Sequence, residues 1–410
     1  MWMVRGAAAA VLAGALVVGT TAAASPDPVP GAAVRWTPAL TGEATGVELA
    51  GGTVRLAAPP ASRTATEGGS EGDVHDDAPR GLLTLPARRL AAPVGRVDAA
   101  LDPVATGVSV DVRGKRANGK WTEWVTAEPP STGGGARVTL PAPAAQVQAR
   151  IVFTQDAAPG TVVRGLTLTA YPTREAPAPA EEAPAASYRV FATREGLVGG
   201  TTANGHVITE KDLFVALPSR RALSPRDSSD YSVKVCAPNG RCAYAPVWDV
   251  GPWNTRDDYW SPSDERQEWH DLPRGVPQAQ AAEQDGHNDG KDQYGREVRN
   301  PAGIDLADGL FVDALALKNN EWVTVDYLWT GRTELVAVQA EGSVEVREAP
   351  NGKSRVVALA ADRAGVPLQC ATTARDGRWL RIGAGQFLPA SAVPEPGRVP
   401  TCAGSPVDPG

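Results

Sequence analysis

The chain has 410 residues, a formal net charge of -7, 21% charged residues and 42% hydrophobic residues. That hydrophobic share suffices for folded cores, the length allows roughly two to four domains, and the mildly acidic balance argues against a nucleic-acid partner. Eleven Trp outnumber seven Tyr and five Phe. Trp248, Trp253, Trp260, Trp269, Trp322 and Trp329 fall in one stretch, which marks the densest folding or binding content.

At the N-terminus Arg5 precedes an apolar run over 6–21, followed by Ala22-Ala23-Ala24-Ser25. A short positive region, a short apolar region and an Ala-x-Ala end describe a secretory signal peptide over 1–24. The run is too short and too rich in Ala and Gly for a membrane span. No later stretch is apolar for long enough to span, and no Cys follows to carry a lipid. The mature chain is therefore expected outside the cytoplasm, with no membrane segment, beginning at or near Ser25. N-terminal sequencing of the exported protein checks this; Met1 on mature protein in a membrane fraction would refute it.

Residues 25–80 are rich in Ala, Gly, Pro, Ser and Thr and read as largely irregular, with one strand candidate over 47–56. From 81 to 172, β-rich runs at 108–112, 121–125, 136–140, 146–153 and 162–170 alternate with turn residues. That pattern predicts a β-sandwich. If 121–125 is a strand, Trp121 and Trp124 point to opposite faces, one into the core and one outward. Residues 173–187 (PTREAPAPAEEAPAA) form a Pro/Ala/Glu linker, extended enough to hold two domains apart. A second domain over 188–331 carries strand candidates at 188–191, 213–217, 231–237, 241–247, 310–314 and 322–328. A third over 334–393 alternates apolar and polar residues in short runs at 344–347, 356–359, 365–372 and 379–382, which suits a small SH3-like barrel. A tail, 394–410, follows. The fold class is thus mainly β and multidomain.

Cys236, Cys242, Cys370 and Cys402 are an even set in an exported chain and read as disulfides. Pro238-Asn239-Gly240 predicts a type I turn with Gly240 left-handed, a hairpin that sets Cys236 opposite Cys242. Cys370–Cys402 follows by elimination. Zinc is the rival reading, but Cys-x5-Cys without a nearby His is poor zinc spacing. Asp285-x-His287-x-Asp289-Gly290-x-Asp292 resembles the start of an EF-hand loop, yet its twelfth position is Arg296 rather than Glu; Asn/Asp/Gly clusters are usually turns. No metal or other cofactor is expected. There is no P-loop, Gly-x-Ser-x-Gly elbow, His-Glu-x-x-His or dinucleotide fingerprint.

Three segments of the second domain carry a resemblance. They are Thr202-Ala203-Asn204-Gly205 with Leu213 downstream, Asp249-Val250-Gly251-Pro252-Trp253, and Gly303-Ile304-Asp305-Leu306-Ala307. In this order they resemble the RlpA-like double-psi β-barrel family, which includes barwin and the N-terminal domains of expansins. Val344-Glu345-Val346-Arg347 and the run Asp376–Ile382 resemble bacterial SH3 (SH3b) domains.

The resemblance implies a double-psi barrel and action on the cell wall, where some members cleave peptidoglycan glycan strands and others bind or loosen polymer. Cleaving members carry an acid just after the first segment, an Asp three further on and a His in the next strand. Those positions are His206, Thr209 and Leu217 here, and none matches. A general acid needs a titratable group near the scissile oxygen, so the resemblance implies a non-cleaving member. If the chain is an enzyme, Asp305 with Asp249 or His206 would carry the chemistry.

An insertion over 254–303 holds Tyr259, Trp260, Trp269 and Tyr294 among polar residues, with one short helix candidate at 278–283. Trp253, Tyr259, Trp260 and Trp269 are the candidates for stacking on sugar rings. Equally, such rings could pin a long loop onto the barrel.

The expected partner is peptidoglycan or a wall polysaccharide. The leading reading is a secreted, non-catalytic wall-binding protein whose linked modules gain avidity. The alternatives are a lytic transglycosylase-like enzyme and a secreted protein-interaction module.

Overall fold

The computed structural model describes residues 31–58, 80–129, 135–173, 184–394 and 396–403. The segment expected to be a signal peptide, 1–24, and most of the Pro/Ala/Glu linker lie outside these. No helix among the described residues is long and apolar enough to cross a membrane. The protein is mainly β and consists of a sandwich, a closed six-stranded barrel and a small third β-module.

The sandwich comprises β1 (Val34–Trp36), β2 (Glu43–Thr45), β3 (Val47–Ala50), β4 (Thr53–Leu56), β5 (Gly81–Thr84), β6 (Arg88–Asp102), β7 (Val108–Gly114), β8 (Val125–Thr126), β9 (Ala136–Phe153), β10 (Val162–Val163) and β11 (Gly165–Pro172). One sheet runs β1-β11-β6-β9-β5-β2, with β7 on β9 and β8 on β7; the other is β10-β4-β3. Val54, Leu56 and Val163 of the small sheet share one core with Val97, Val110, Ile151 and Phe153 of the large one.

Within 25–80, the strand expected over 47–56 forms as β3 and β4, and β1 and β2, which were not expected, precede it; 25–30 and 59–79 lie outside the described residues. Large apolar residues are few here, but Leu40, Val54 and Leu56 are all buried and Trp36 packs against the core. Pairing with distant strands, Trp36 opposite Leu168 and Thr45 opposite Leu82, organises residues whose local pattern is weak. The expected alternation of Trp121 and Trp124 across a strand does not occur. Residues 121–124 have no regular strand geometry, and both rings are buried against one guanidinium, with Arg113 4.4 Å from the Trp121 centroid and 4.3 Å from that of Trp124.

The barrel comprises β12 (Ala186–Arg194), β13 (Val215–Leu217), β14 (Ser232–Cys236), β15 (Cys242–Val250), β16 (Ala302–Leu306) and β17 (Glu321–Tyr327). Its strands close in the order β13-β16-β12-β17-β14-β15 and back to β13. The β12–β16 and β13–β15 pairs are parallel and the other four antiparallel. Exchanging β12, β13 and β14 for β15, β16 and β17 leaves every pairing unchanged, the internal two-fold of a double-psi barrel. Val190, Val215, Leu217, Val233, Val235, Val247, Ile304, Leu306, Val323 and Val325 fill the interior, alternate residues of each strand as a half-buried sheet requires.

Within the insertion, α1 (Gln278–Asp285) matches the helix expectation and stops at Gly286, whose φ of 71° is the left-handed cap. The strand expected at 310–314 is instead a π-helical turn over Gly309–Ala314. Gly309, Leu310, Phe311 and Ala314 are its buried residues, and a short apolar run does not distinguish such a turn from a strand.

The third module holds β18 (Leu335–Ala337), β19 (Ser343–Arg347), β20 (Val356–Ala361), β21 (Gly365–Pro367), β22 (Cys370–Ala374), β23 (Gly377–Gly383) and β24 (Gln386–Pro389) around Val346, Ala360, Val366, Leu380 and Leu388. It is fused to the barrel by the sheet itself: β20 pairs in parallel with β15, Cys242 to Ala358 through Tyr244 to Ala360. Both disulfides form as expected, Cys236–Cys242 and Cys370–Cys402. The first closes the anticipated hairpin, with Gly240 at φ 85° and Cys236 opposite Cys242.

The sandwich and the barrel are not held apart. Leu82 and Val152 of the sandwich pack on Ala203, Leu223 and Val250 of the barrel side. Beside this patch Asp111 takes a hydrogen bond from Arg150 Nε at 2.9 Å and from Arg220 Nε of the barrel at 3.3 Å. Arg113 reaches Asp230 at 2.7 Å. Trp124 donates its indole N–H to the Leu223 carbonyl at 3.2 Å. Glu123 accepts at 2.7 Å from the indoles of both Trp260 and Trp329. Burial pushes the Glu123 carboxyl up, against the pull of Arg221.

Candidate functional site

The three family-like segments meet on one flank of the barrel. Ala216 in the short β13 pairs with Asp305 on one side and with Asp249 on the other. Thr193 of β12 pairs with Asp305 in turn. Paired residues project to one face, so Thr193, Asp305, Ala216 and Asp249 form a row across four adjacent strands. Their neighbours Ala192, Ile304, Leu306, Val215 and Leu217 point inward, so the row faces out of the barrel. Asp249 and Asp305 thus sit about 10 Å apart, two strand spacings.

The row nevertheless does not meet solvent. Asp305 is 1% exposed and Asp249 0%. Asp305 accepts a hydrogen bond from the Thr193 hydroxyl. Asp249 Oδ1 accepts from the amides of Ala203 and Val250, both at 2.8 Å. The Asp249 carboxylate therefore ties the 202–206 turn down onto β15. Glu195, two residues beyond Thr193, is also fully buried. No three carboxylate, His or Cys groups among the described residues are placed to hold a metal ion.

The turn itself is tight and locally encoded. Gly205 N–H donates to Thr202 at 2.9 Å, and the Thr202 hydroxyl donates to Asn204 Oδ1 at 2.7 Å. Gly205 has φ 90°, and a Cβ there would come within 2.5 Å of Thr45 Oγ1, so only glycine fits. Thr45 belongs to the sandwich, and its hydroxyl donates to the Asn204 carbonyl at 3.1 Å. The N-terminal module thus covers the first family-like segment directly.

Of the three acid–base candidates, His206 alone stays partly exposed. Its Nε2 lies 2.7 Å from Asp212 Oδ2, and its ring centroid lies 4.6 Å from that of Trp248. Burial pushes the Asp212 carboxyl up, but the hydrogen bonds from His206 and from the Thr209 amide outweigh it and hold it below the usual carboxylate range. Asp212 was not anticipated: ungapped counting put Thr209 in the acid position, while the carboxylate arrives three residues later. Leu217 lies in the barrel core.

Of the four aromatic candidates, three offer no stacking face. Trp253 is 3% exposed, packs on Ala279 and Ala282 of α1, and donates its indole N–H to Asn300 Oδ1 at 3.0 Å. Tyr259 and Trp260 are fully buried in the barrel core. Tyr259 donates to the Gly303 carbonyl at 2.8 Å, and Trp260 stacks on Tyr327 with centroids 5.3 Å apart. These three rings anchor the insertion, the role a long strandless loop demands. Trp269 alone is partly exposed, edge-on to His287 at 5.4 Å. The EF-hand-like run is a set of turns, in which Asp292 Oδ1 accepts from the Tyr294 and Arg296 amides, both at 2.9 Å.

The sequence profile of a family described as a domain of unknown function (DUF8814) matches residues 186–326, the barrel with its insertion. No curated protein matches the chain.

Proposed function

We propose that the chain is a secreted, cell-wall-associated protein that binds peptidoglycan or another wall glycan without cleaving it, its barrel being a non-cleaving relative of the RlpA-like double-psi barrels. The observation that carries this reading is the burial of the two retained acids. Asp249 and Asp305 are at most 1% exposed, and Asp249 holds backbone amides in place. A general acid must reach the scissile oxygen, and a carboxyl buried to this degree supports the non-cleaving reading. His206 and Asp212 are a partly exposed titratable pair beside the row, a frame for polar contact with a glycan.

The test is retention of the mature protein on purified sacculi, followed by analysis of soluble products. Retention without muropeptide release is expected. Asp305→Asn is expected to leave melting and retention within about twofold of wild type, because Asn retains a carbonyl oxygen that accepts a hydrogen bond. Muropeptide release abolished by Asp305→Asn would establish the enzyme reading instead. No retention at all would favour a protein-interaction module.

A further inference from the structure

A cavity lies away from the acid row, where all three modules meet. Its volume is about 660 Å³, and its walls come from the sandwich, from the 225–230 loop of the barrel and from 337–340 and 362–363 of the third module. This is the size of a small-ligand site. Trp121, Gln148 and the buried Arg113 form the sandwich wall.

Two features set this cavity apart from a packing gap. Its mouth carries an ion pair between Arg363 and Asp227 at 2.8 Å. Both residues hold left-handed backbone, with φ 60° and 63°. Non-glycine residues in that region are strained and concentrate at binding sites. The 225–230 loop is also fixed in advance: Asp230 accepts from Arg113 at 2.7 Å, and the Ser228 hydroxyl accepts from the Asp230 amide at 3.1 Å.

The chemistry of the walls selects a ligand class. Each carboxylate already has a partner: Asp230 has Arg113, Asp227 has Arg363, and Asp362 accepts from the Ala340 amide at 3.0 Å and lies 3.4 Å from Arg363. No surplus cation is left for a phosphate or carboxylate ligand. Ser228, Ser229, Gln148 and Gln339 line the rest, while the Trp121 ring is covered by Arg113. Dense donors and acceptors with no surplus charge suit a ligand that carries several hydroxyl groups and no net charge.

We propose that this three-module junction is a binding site for a neutral saccharide, one chain end entering between the 225–230 and 337–340 loops. The proposal does not depend on the acid row or on retention by sacculi.

The test titrates the mature full chain, by tryptophan fluorescence and calorimetry, with neutral tetrasaccharides of glucose, mannose, galactose and N-acetylglucosamine. Inorganic phosphate and a galacturonate tetramer serve as anionic comparators. Ala337 and Gln339 are exposed on the third-module wall, so Ala337→Trp and Gln339→Trp place a ring in the cavity without disturbing a core. At least one neutral tetrasaccharide is expected to bind, and each variant to weaken it by about tenfold or more, the loss from filling a small-ligand site. The proposal is overturned if no neutral tetrasaccharide binds, if only the anions bind, or if both variants bind like wild type. Failure of sacculus retention leaves this titration unaffected, so the two readings fail separately.

Discussion

Asp111→Ala is expected to be among the most damaging single substitutions in the chain, lowering stability by about 3–5 kcal/mol, the cost of breaking a buried ion pair from one side. Asp111 and Arg150 are 1% and 2% exposed, and Arg220 joins them from the barrel. Without the carboxylate, two guanidinium groups would face each other in the interface with no counter-charge. Burial pushes the Asp111 carboxyl up, but Arg220 and Arg150 outweigh it and hold it below the usual range. Arg150 is drawn down to about 10 by its own burial, which still leaves it charged at neutral pH, so the triad is ionic there. Because the folded-state value of Asp111 lies below the unfolded value of about 3.9, its contribution is complete above about pH 4 and is lost as pH falls through the folded value. Denaturant melts of wild type and Asp111→Ala at pH 7 and pH 3 measure both effects. Arg150→Met in the Asp111→Ala background should recover part of the loss, since it removes a stranded charge. The surface pair of Asp98 with Arg137 at 3.4 Å serves as the comparator: Asp98→Ala should cost no more than about 1 kcal/mol. Equal losses at Asp98 and Asp111 would refute the account of the interface.

The second large effect concerns the insertion. Arg266 and Asp257 both have fully buried side chains. Asp257 Oδ1 accepts from Arg266 Nε at 2.9 Å, and its Oδ2 accepts from the Gln278 amide at 2.7 Å, at the start of α1. Asp257→Ala is expected to lower stability by about 3–5 kcal/mol and to open residues 260–290 to limited proteolysis at pH 7. Proteolysis unchanged from wild type would show that the rings alone hold the insertion. The pH sense is opposite to that of Asp111. Burial pushes the Asp257 carboxyl up to about 6, against the pull of Arg266. The folded value thus lies above the unfolded one, so this group adds stability as pH falls from about 6 toward 4 and removes it on the way back. Wild type should therefore gain stability over that window, and Asp257→Ala should not.

What was legible in the sequence was what neighbouring residues decide. Pro238-Asn239-Gly240 specified its hairpin and through it the first disulfide, because turn chemistry is local. The alternating residues of the barrel and of the third module exposed most of their strands, though not β16, β18 or β24. Asp111, Arg113 and Arg150 were not legible as interface residues: on β7 and β9 they occupy polar positions, and those look like solvated faces until another module covers them. The burial of Asp249 and Asp305 was hidden for the same reason, since the turn over 202–206 that covers the row is itself held down by Asp249. Tyr259 and Trp260 carry polar neighbours along the chain, yet their rings turn into the core. Asp212 was missed because only the folded loop brings it to His206.

The joining of β15 to β20 has a bearing on where this chain can be divided. β13 is three residues long and reaches only Val247–Val250 of β15. The other half of that strand, from Cys242 to Tyr244, finds its outer partner in β20. The third module therefore completes a seam that the barrel's own strands leave open. A chain ending after Gly331 would show bare amides and carbonyls along that stretch, beside the Cys236–Cys242 bridge. An open strand border of this kind recruits other strands, and in a concentrated solution the nearest supply is the same border on another copy. The barrel with its insertion is thus a recognisable unit of sequence but an incomplete unit of surface, and residues 356–361 are as much its wall as part of the module that follows.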